Sequence, residues 1–231
     1  MNGNLQPPEP SESDKAIALT KALAGLVPGV FTITELLGIL FETPIQRRNK
    51  AWQEEIADAV VQLLQKQITL EDLQDNDVFF DTVAHASRVA SLTSEAEKHE
   101  ALRNAIVNSG MPEAPESALQ QMFVDMVERL TPWHLRILKL FNNPKTWLSR
   151  DGRSLDNATL MSSSSHILTE AYPLLRDKRT FYKQCWADLY NYGLVADIGV
   201  FAYMSEEGGL GSRTTEIGKQ FLAFIELGTG E

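Results

Sequence analysis

The chain has 231 residues, a hydrophobic share of 43% and a formal net charge of −10. This length allows one or two domains, and the mixed composition excludes a wholly disordered chain. The charge is uneven, because residues 1–130 carry 10 Lys/Arg and 20 Asp/Glu, whereas residues 131–231 carry 11 of each. An acidic half beside a neutral half gives no long-range attraction to phosphate backbones. The acidic net charge favours solubility and a basic protein partner.

Cysteine usage and the first residues bear on the cellular compartment. Cys185 is the single cysteine, which excludes an internal disulfide and a zinc site of the usual kind. One cysteine is typical of a reducing compartment, so we expect a cytoplasmic protein. Residues 1–13 lack the basic start of a secretory signal, and their Pro, Glu and Ser content predicts a disordered tail.

The most apolar region lies at residues 16–45. Its longest uncharged run, Ala22–Thr34, has 13 residues, whereas a membrane span needs about 20. Because Pro28 and Gly29 together favour a turn, we expect an apolar hairpin of two short helices packed on the helices that follow. The alternative is an interfacial hairpin that contacts a membrane or a partner through its most apolar side chains. These candidate contacts are Leu26, Val27, Val30 and Phe31.

Helical periodicity continues through the rest of residues 14–130. Pro44 is suited to a first helical position, and Ser94 with Glu97 has the spacing of a capping box. The intervening loops are short. Residues 14–130 therefore predict a helical domain of about six helices.

The helices predicted between residues 131 and 193 are recognised by their ends. Thr131-Pro132 combines a cap residue with proline at the first position. A longer helix is expected to begin at a capping Asp177 and to end at Gly193. Between these helices, residues 142–154 predict a polar loop with one embedded tryptophan.

A two-stranded ribbon and a closing helix are predicted after Gly193. Residues 205–212 are glycine-rich and predict the turn of a β-hairpin. Thr214 or Thr215 is expected to cap the last helix. The first strand is indicated by apolar residues with imperfect alternation, namely Val195, Ile198, Val200 and Ala202.

Catalytic and metal-binding motifs are missing from the sequence. HExxH is absent, and none of the four histidines pairs with a second His or a Cys at metal-ligand spacing. We therefore expect each to be a surface or cap-region histidine. Residues 208–212 lack the lysine of a phosphate loop. Ser162–Ser165 lacks a Gly-x-Ser-x-Gly elbow, so we predict that this serine run is a capped helix start. Cys185 lies on the apolar side of its helix, which predicts a buried structural thiol. We therefore predict no catalytic residue, no cofactor, no metal ligand and no enzyme activity.

Three phrases, TPWHLRILKLF, TFYKQCWADLYNYGLV and TTEIGKQFLAFI, together resemble winged-helix domains over about residues 131–226. The last phrase resembles the closing helix of many bacterial members, in which a Thr cap precedes a Gly-containing helix. The helical front, with GLVPG and ELLGILFETPIQRRNK, is similar to uncharacterised bacterial proteins, some of which are encoded near phage-defence genes. The resemblance implies a mainly α fold, with an N-terminal helical bundle followed by a winged-helix-like α+β domain with one β-hairpin.

The resemblance also implies a surface for nucleic acid. In winged-helix proteins the third helix, residues 178–192 here, reads the major groove, and the wing contacts the backbone or minor groove. Glu206 and Glu207 at the wing tip oppose that role, since DNA readers usually carry a basic footprint. The candidate phosphate contacts at the third helix are Arg176, Lys178, Arg179 and Lys183.

Three hypotheses of function follow. The first is a non-enzymatic bacterial interaction protein, in phage defence or regulation, whose winged-helix-like domain binds a protein partner or forms a homodimer. The second is a DNA-binding transcriptional regulator. The third is a membrane-associated protein that acts through residues 16–45. The missing catalytic motifs and the acidic charge favour the first hypothesis.

Overall fold

The computed structural model describes residues 44–150, 161–196, 199–205 and 210–227. These residues form ten α-helices, one 3-10 helix and two short strands, which confirms a mainly α fold. They divide into two compact units. Unit 1 contains the described residues up to Asp125 together with the chain from Phe224, and unit 2 contains those from Met126 to Ala223.

Unit 1 is built from helices joined by short loops. Pro44 is the first residue of the first described helix, as its sequence context predicts. Two of the described helices, Ser117–Arg129 and Glu216–Ile225, each contribute residues to both units. The helices that begin in unit 1 are α1 (Pro44–Gln65), α2 (Leu70–Gln74), α3 (Asp77–Leu92), α4 (Ala96–Ser109) and α5 (Ser117–Arg129).

The core of unit 1 contains one deeply placed polar contact. Trp52 on α1 is 2% exposed, and its Nε1–H donates to Ser87 Oγ on α3 at 2.9 Å. A buried indole therefore keeps a hydrogen-bond partner. The largest fully buried apolar side chains of this unit are, besides Trp52, Phe79, Phe123, Phe224, Ile56, Leu63, Leu73, Leu102 and Ile106.

Two side chains of α4 donate hydrogen bonds to the backbone carbonyls of residues 224–226. Asn104 Nδ2 donates to the carbonyl of Ile225 at 3.0 Å. Asn108 Nδ2 donates to the carbonyls of Phe224 and Glu226 at 2.8 and 3.0 Å. The last carbonyls of a helix have no partner within the helix, so these amides satisfy acceptors that would otherwise need water.

The capping box of unit 1 lies at a different helix start from the one predicted. The N-cap of α4 is Glu95, which makes no side-chain cap hydrogen bond, so the capping box predicted from Ser94 is wrong. A capping box occurs instead at α2, where the Thr69 N–H donates to Asp72 Oδ2 at 2.9 Å and the Asp72 N–H donates to Thr69 Oγ1 at 3.1 Å. The spacing of Thr69 and Asp72 is the same as that of Ser94 and Glu97. Spacing alone does not decide which box forms.

Unit 2 contains a second set of short elements. Its first helix begins at Pro132 after the cap residue Thr131, as predicted. The elements are α6 (Pro132–Asn142), α7 (Pro144–Arg150), β1 (Met161–Ser163), α8 (Ser164–Ala171), a 3-10 helix (Pro173–Leu175), α9 (Arg179–Asn191), β2 (Tyr203–Ser205) and α10 (Glu216–Ile225).

Residues 144–150 form α7, so the polar loop predicted over residues 142–154 is wrong for this stretch. Asn143 Oδ1 accepts a hydrogen bond from the Thr146 N–H at 3.2 Å, and Pro144 stands at the first helical position. Asparagine followed by proline is itself a helix-start signal. The polar composition of residues 142–154 favours a loop, whereas this local signal favours a helix.

The core of unit 2 lies between α6 and α9. The rings of Phe141 and Trp186 meet edge to face with their centroids 5.0 Å apart. Cys185 is 1% exposed, which confirms the predicted buried thiol. Gly193 adopts a φ of 70° directly after α9 and ends it as predicted, because a positive φ carries no Cβ penalty at glycine.

The strand pairing differs from the expected ribbon. β1 pairs with β2 in antiparallel register, with Met161 opposite Ser205 and Ser163 opposite Tyr203. Residues 199–202 form a turn closed by a hydrogen bond from the Ala202 N–H to the Gly199 carbonyl at 2.8 Å, so the predicted strand is wrong there. Within the described residues no β-hairpin is present, and Val195 is joined to Thr214 by a single bridge.

Candidate functional site

The four basic residues expected to contact phosphate cluster at the start of α9. Arg176 follows the 3-10 helix, Lys178 is the N-cap residue, Arg179 opens the helix, Lys183 lies one turn later, and all four are exposed. The predicted cap at Asp177 is wrong, since Lys178 takes that position without a side-chain cap hydrogen bond. Cations at a helix N-terminus oppose the helix dipole, and the same position favours a bound anion.

Arg176 and Arg179 line an open cleft of about 440 Å³, which we name the α8–α9 cleft. Lys178 and Lys183 do not line it. The other lining groups are three hydroxyls from α8 and its N-cap, an imidazole and two aromatic rings. They belong to Ser163, Ser165, Thr169, His166, Tyr182 and Phe201.

Different contacts position the two arginines. The guanidinium carbon of Arg179 lies 4.2 Å from the ring centroid of Phe201, which is a cation–π distance. The ring of Tyr182 also contacts Phe201, with the two ring centroids 6.0 Å apart. Arg176 Nη2 donates to Glu170 Oε1 at 3.0 Å, and this exposed pair is worth at most about 1 kcal/mol. A competing anion can therefore displace Glu170 at low cost.

The start of α8 is fixed by its serines. Ser163 Oγ accepts a hydrogen bond from the His166 N–H at 3.3 Å and lies 2.7 Å from Ser165 Oγ. The Ser165 N–H donates to the Val200 carbonyl at 2.7 Å, which brings Phe201 beside α8. The prediction of a capped helix start in the serine run is confirmed. No local sequence signal predicts that Phe201 lines the cleft, because its position depends on the path of the chain after α9.

The lining groups of the α8–α9 cleft favour an oxyanion. Two guanidinium groups and an imidazole supply donors, and charge-assisted hydrogen bonds from arginine suit the geometry of phosphate and carboxylate. The serine and threonine hydroxyls add neutral donors on the α8 side. This arrangement can bind an anion and hold it in one orientation.

A hydroxyl, an imidazole and a carboxylate also meet near the start of α6. Thr131 Oγ1 lies 2.8 Å from His134 Nδ1, and His134 Nε2 lies 3.2 Å from Asp188 Oδ2. These are the residue types of a nucleophile–base–acid site. However, His134 Nδ1 also accepts the Thr131 backbone N–H at 3.1 Å, and the three side chains line neither cleft described in this protein. We interpret the group as a helix cap, and the prediction of a cap-region histidine is confirmed for His134.

The remaining predicted contacts belong to the N-terminal apolar region. Leu26, Val27, Val30 and Phe31 lie outside the described residues. Within the part of the chain that is described, no helix combines the length and apolar character needed to cross a membrane. Comparison with protein-family models, curated proteins and solved structures finds no match to this chain.

Proposed function

We propose that unit 2 binds nucleic acid, with a backbone phosphate held in the α8–α9 cleft. The observation that carries this proposal is the convergence of Arg176 and Arg179 with His166 and three hydroxyls in one open cleft. Phosphate contacts of this kind position a protein on a duplex without reading its sequence. Lys178 and Lys183, exposed beside the cleft, are suited to neighbouring phosphates.

The charge of unit 2 supports the same proposal. Between residues 126 and 223 the sequence has 12 Lys/Arg and 10 Asp/Glu, whereas the rest of the chain has 9 and 21. Unit 2 is therefore weakly basic although the whole protein is acidic. A weak overall attraction with a local cluster of cations is expected to give binding that falls steeply with salt.

We further propose that unit 2 is a winged-helix-like domain. Apart from the short helix α7 after α6, its element order of α6, β1, α8 and α9 supports this interpretation, as does the closing helix α10 after a threonine cap. In this reading α9 enters the groove and the start of α8 faces the backbone. The predicted wing tip at Glu206 and Glu207 lies outside the described residues.

Fluorescence anisotropy with a labelled DNA duplex tests the proposal. We expect the full chain to bind at low salt, and Arg179→Ala to weaken binding and to lower the slope of log affinity against log salt by about one. Arg129→Ala is the matched control, because Arg129 is an exposed arginine of unit 2 outside the cleft. Absence of binding at low salt, or an equal loss in both variants, would contradict the proposal.

Exposed apolar side chains favour a second candidate, a homodimer formed through unit 2. Leu174 is 75% exposed, Phe181 40% and Tyr190 45%. Leu174 is the most exposed large apolar side chain among the described residues, and covering it with a partner removes apolar surface from water. Analytical ultracentrifugation tests this candidate, with Leu174→Ser expected to shift a dimer towards monomer. Leu92→Ser changes another exposed leucine, 67% exposed and in unit 1, and serves as the control.

A further inference from the structure

A second cleft, of about 680 Å³, lies within unit 1 between α1 and α4, and we name it the unit 1 cleft. Its volume falls in the range of small-molecule sites. Charged side chains of both signs line it, which distinguishes it from a gap in apolar packing. The lining groups that matter here are those of Arg48, Glu55, Ser94, His99, Glu100 and Arg103.

Two arginines in the unit 1 cleft have unsatisfied donors. Arg48 Nε and Arg103 Nε are buried, and neither has a hydrogen-bond partner among the described residues. Arg103 is nevertheless held in place, because its Nη2 donates to Asn104 Oδ1 at 3.3 Å. A buried N–H without an acceptor is costly, and the cost is larger for a charged group. A ligand acceptor removes that cost when the two side chains turn their Nε–H groups towards the cleft.

The carboxylate of Glu55 lies near the imidazole of His99. Its Oε1 lies 3.7 Å from His99 Nδ1, and His99 Nε2 lies 3.2 Å from the Thr93 carbonyl, which fixes the ring. Burial raises the pKa of Glu55, while His99 and Arg103 oppose that rise.

The start of α4 adds backbone donors to the same cleft. Its N-cap residue Glu95 makes no side-chain cap hydrogen bond, and the flanking residues Ser94 and Ala96 line the cleft. The first N–H groups of a helix have no partner within the helix, and they carry the positive end of its dipole. These donors and the two arginine Nε atoms are independent features that favour the same kind of ligand.

We propose that the unit 1 cleft binds a small molecule that carries an oxyanion, a carboxylate or a phosphate, between the guanidinium groups of Arg48 and Arg103. The Nε–H and Nη–H donors of arginine form a planar fork that matches either group. Glu100, exposed at the cleft, is suited to a donor group elsewhere on the ligand. This site is separate from the α8–α9 cleft and does not depend on the proposed nucleic-acid binding.

NMR of the arginine Nε–H signals in the full-length protein tests the proposal directly. The signals of Arg48 and Arg103 are assigned with Arg48→Lys and Arg103→Lys, and inorganic phosphate and citrate are titrated separately. We expect both signals to shift saturably with at least one probe. Arg47, the exposed neighbour of Arg48, supplies the control signal and should shift only slightly and without saturation.

The titrations distinguish a phosphate ligand, a carboxylate ligand and a failure of the proposal. Saturation with phosphate alone assigns a phosphate ligand, and saturation with citrate alone assigns a carboxylate ligand. Arg48→Ala is expected to weaken the affinity about 10- to 100-fold, as the loss of hydrogen bonds from a charged donor implies, whereas Arg47→Ala should leave it unchanged. Lack of saturation with both probes, or an equal response at Arg47, overturns the proposal.

Discussion

His134 on α6 and Asp188 on α9 are joined by a hydrogen bond of 3.2 Å between Nε2 and Oδ2. Because His134 Nδ1 accepts the Thr131 N–H, the proton of the neutral ring lies on Nε2 and is donated to Asp188. The His134 side chain is 8% exposed, whereas Asp188 keeps 34% of its surface. One histidine therefore caps α6 and ties it to α9.

Asp188→Ala is expected to destabilise the protein by about 1–3 kcal/mol, because it removes the carboxylate that accepts from the buried His134 Nε2–H. Asp188→Asn should cost less, since its amide oxygen can still accept that hydrogen bond. Urea denaturation measures both free energies of unfolding. A loss in Asp188→Ala below about 0.5 kcal/mol, as for ordinary surface changes, would show that the bond contributes little.

Gly218 on α10 allows close approach to the chain after α9. A Cβ at this position would lie 2.3 Å from the Leu194 carbonyl oxygen and 2.6 Å from Thr214 Cγ2. A backbone carbonyl cannot rotate away as the end of a flexible side chain can. We therefore expect Gly218→Ala to lower the free energy of unfolding by about 1–3 kcal/mol or more.

Gly199→Ala is the matched control for Gly218→Ala. A Cβ at Gly199 would meet nothing within 4 Å, so this variant should be neutral or slightly stabilised by the loss of unfolded-state freedom. Thermal unfolding of the two variants gives the comparison. Equal melting temperatures would mean that α10 shifts to accommodate the methyl group.

The thiol of Cys185 is expected to be unreactive in the folded protein. Burial, with a smaller contribution from Asp188, raises its pKa to about 11, and the side chain is 1% exposed. Only the thiolate is nucleophilic, so a thiol reagent at pH 8 should react slowly without denaturant and rapidly in urea. Rapid labelling of the native protein would show that the helix carrying Cys185 opens often.

Glu55→Gln is expected to stabilise the protein more as the pH rises. Burial raises the folded-state pKa of Glu55, so its contribution to stability is present when the carboxyl is protonated and is lost as the pH rises through that pKa. The glutamine variant lacks this loss. The difference in the free energy of unfolding between variant and wild type should therefore grow between acid and neutral pH.

Urea denaturation at a series of pH values measures that difference. Glu54→Gln changes an exposed carboxylate on the same helix and is compared in parallel. A difference for Glu55→Gln that shrinks as the pH rises would mean that the attraction of His99 and Arg103 outweighs burial.

Local signals in the sequence predict the helix starts whose caps need only neighbouring residues. Pro44 and Pro132 begin helices where predicted, and Gly193 ends α9, because each effect acts within a few bonds of backbone. The serine run before α8 behaves in the same way. The start of α7 at Pro144 shows that such a signal also operates inside a polar stretch.

The sequence by itself determined the mainly α fold, the buried position of Cys185 and the basic cluster at the start of α9, since periodicity and charge are local properties. Only the tertiary structure decided the rest. It brought Phe201 under Arg179, paired β1 with β2, and placed Arg48 and Arg103 in one cleft. These contacts join residues far apart in the chain, and their formation depends on the packing of whole helices, which no short stretch of sequence encodes.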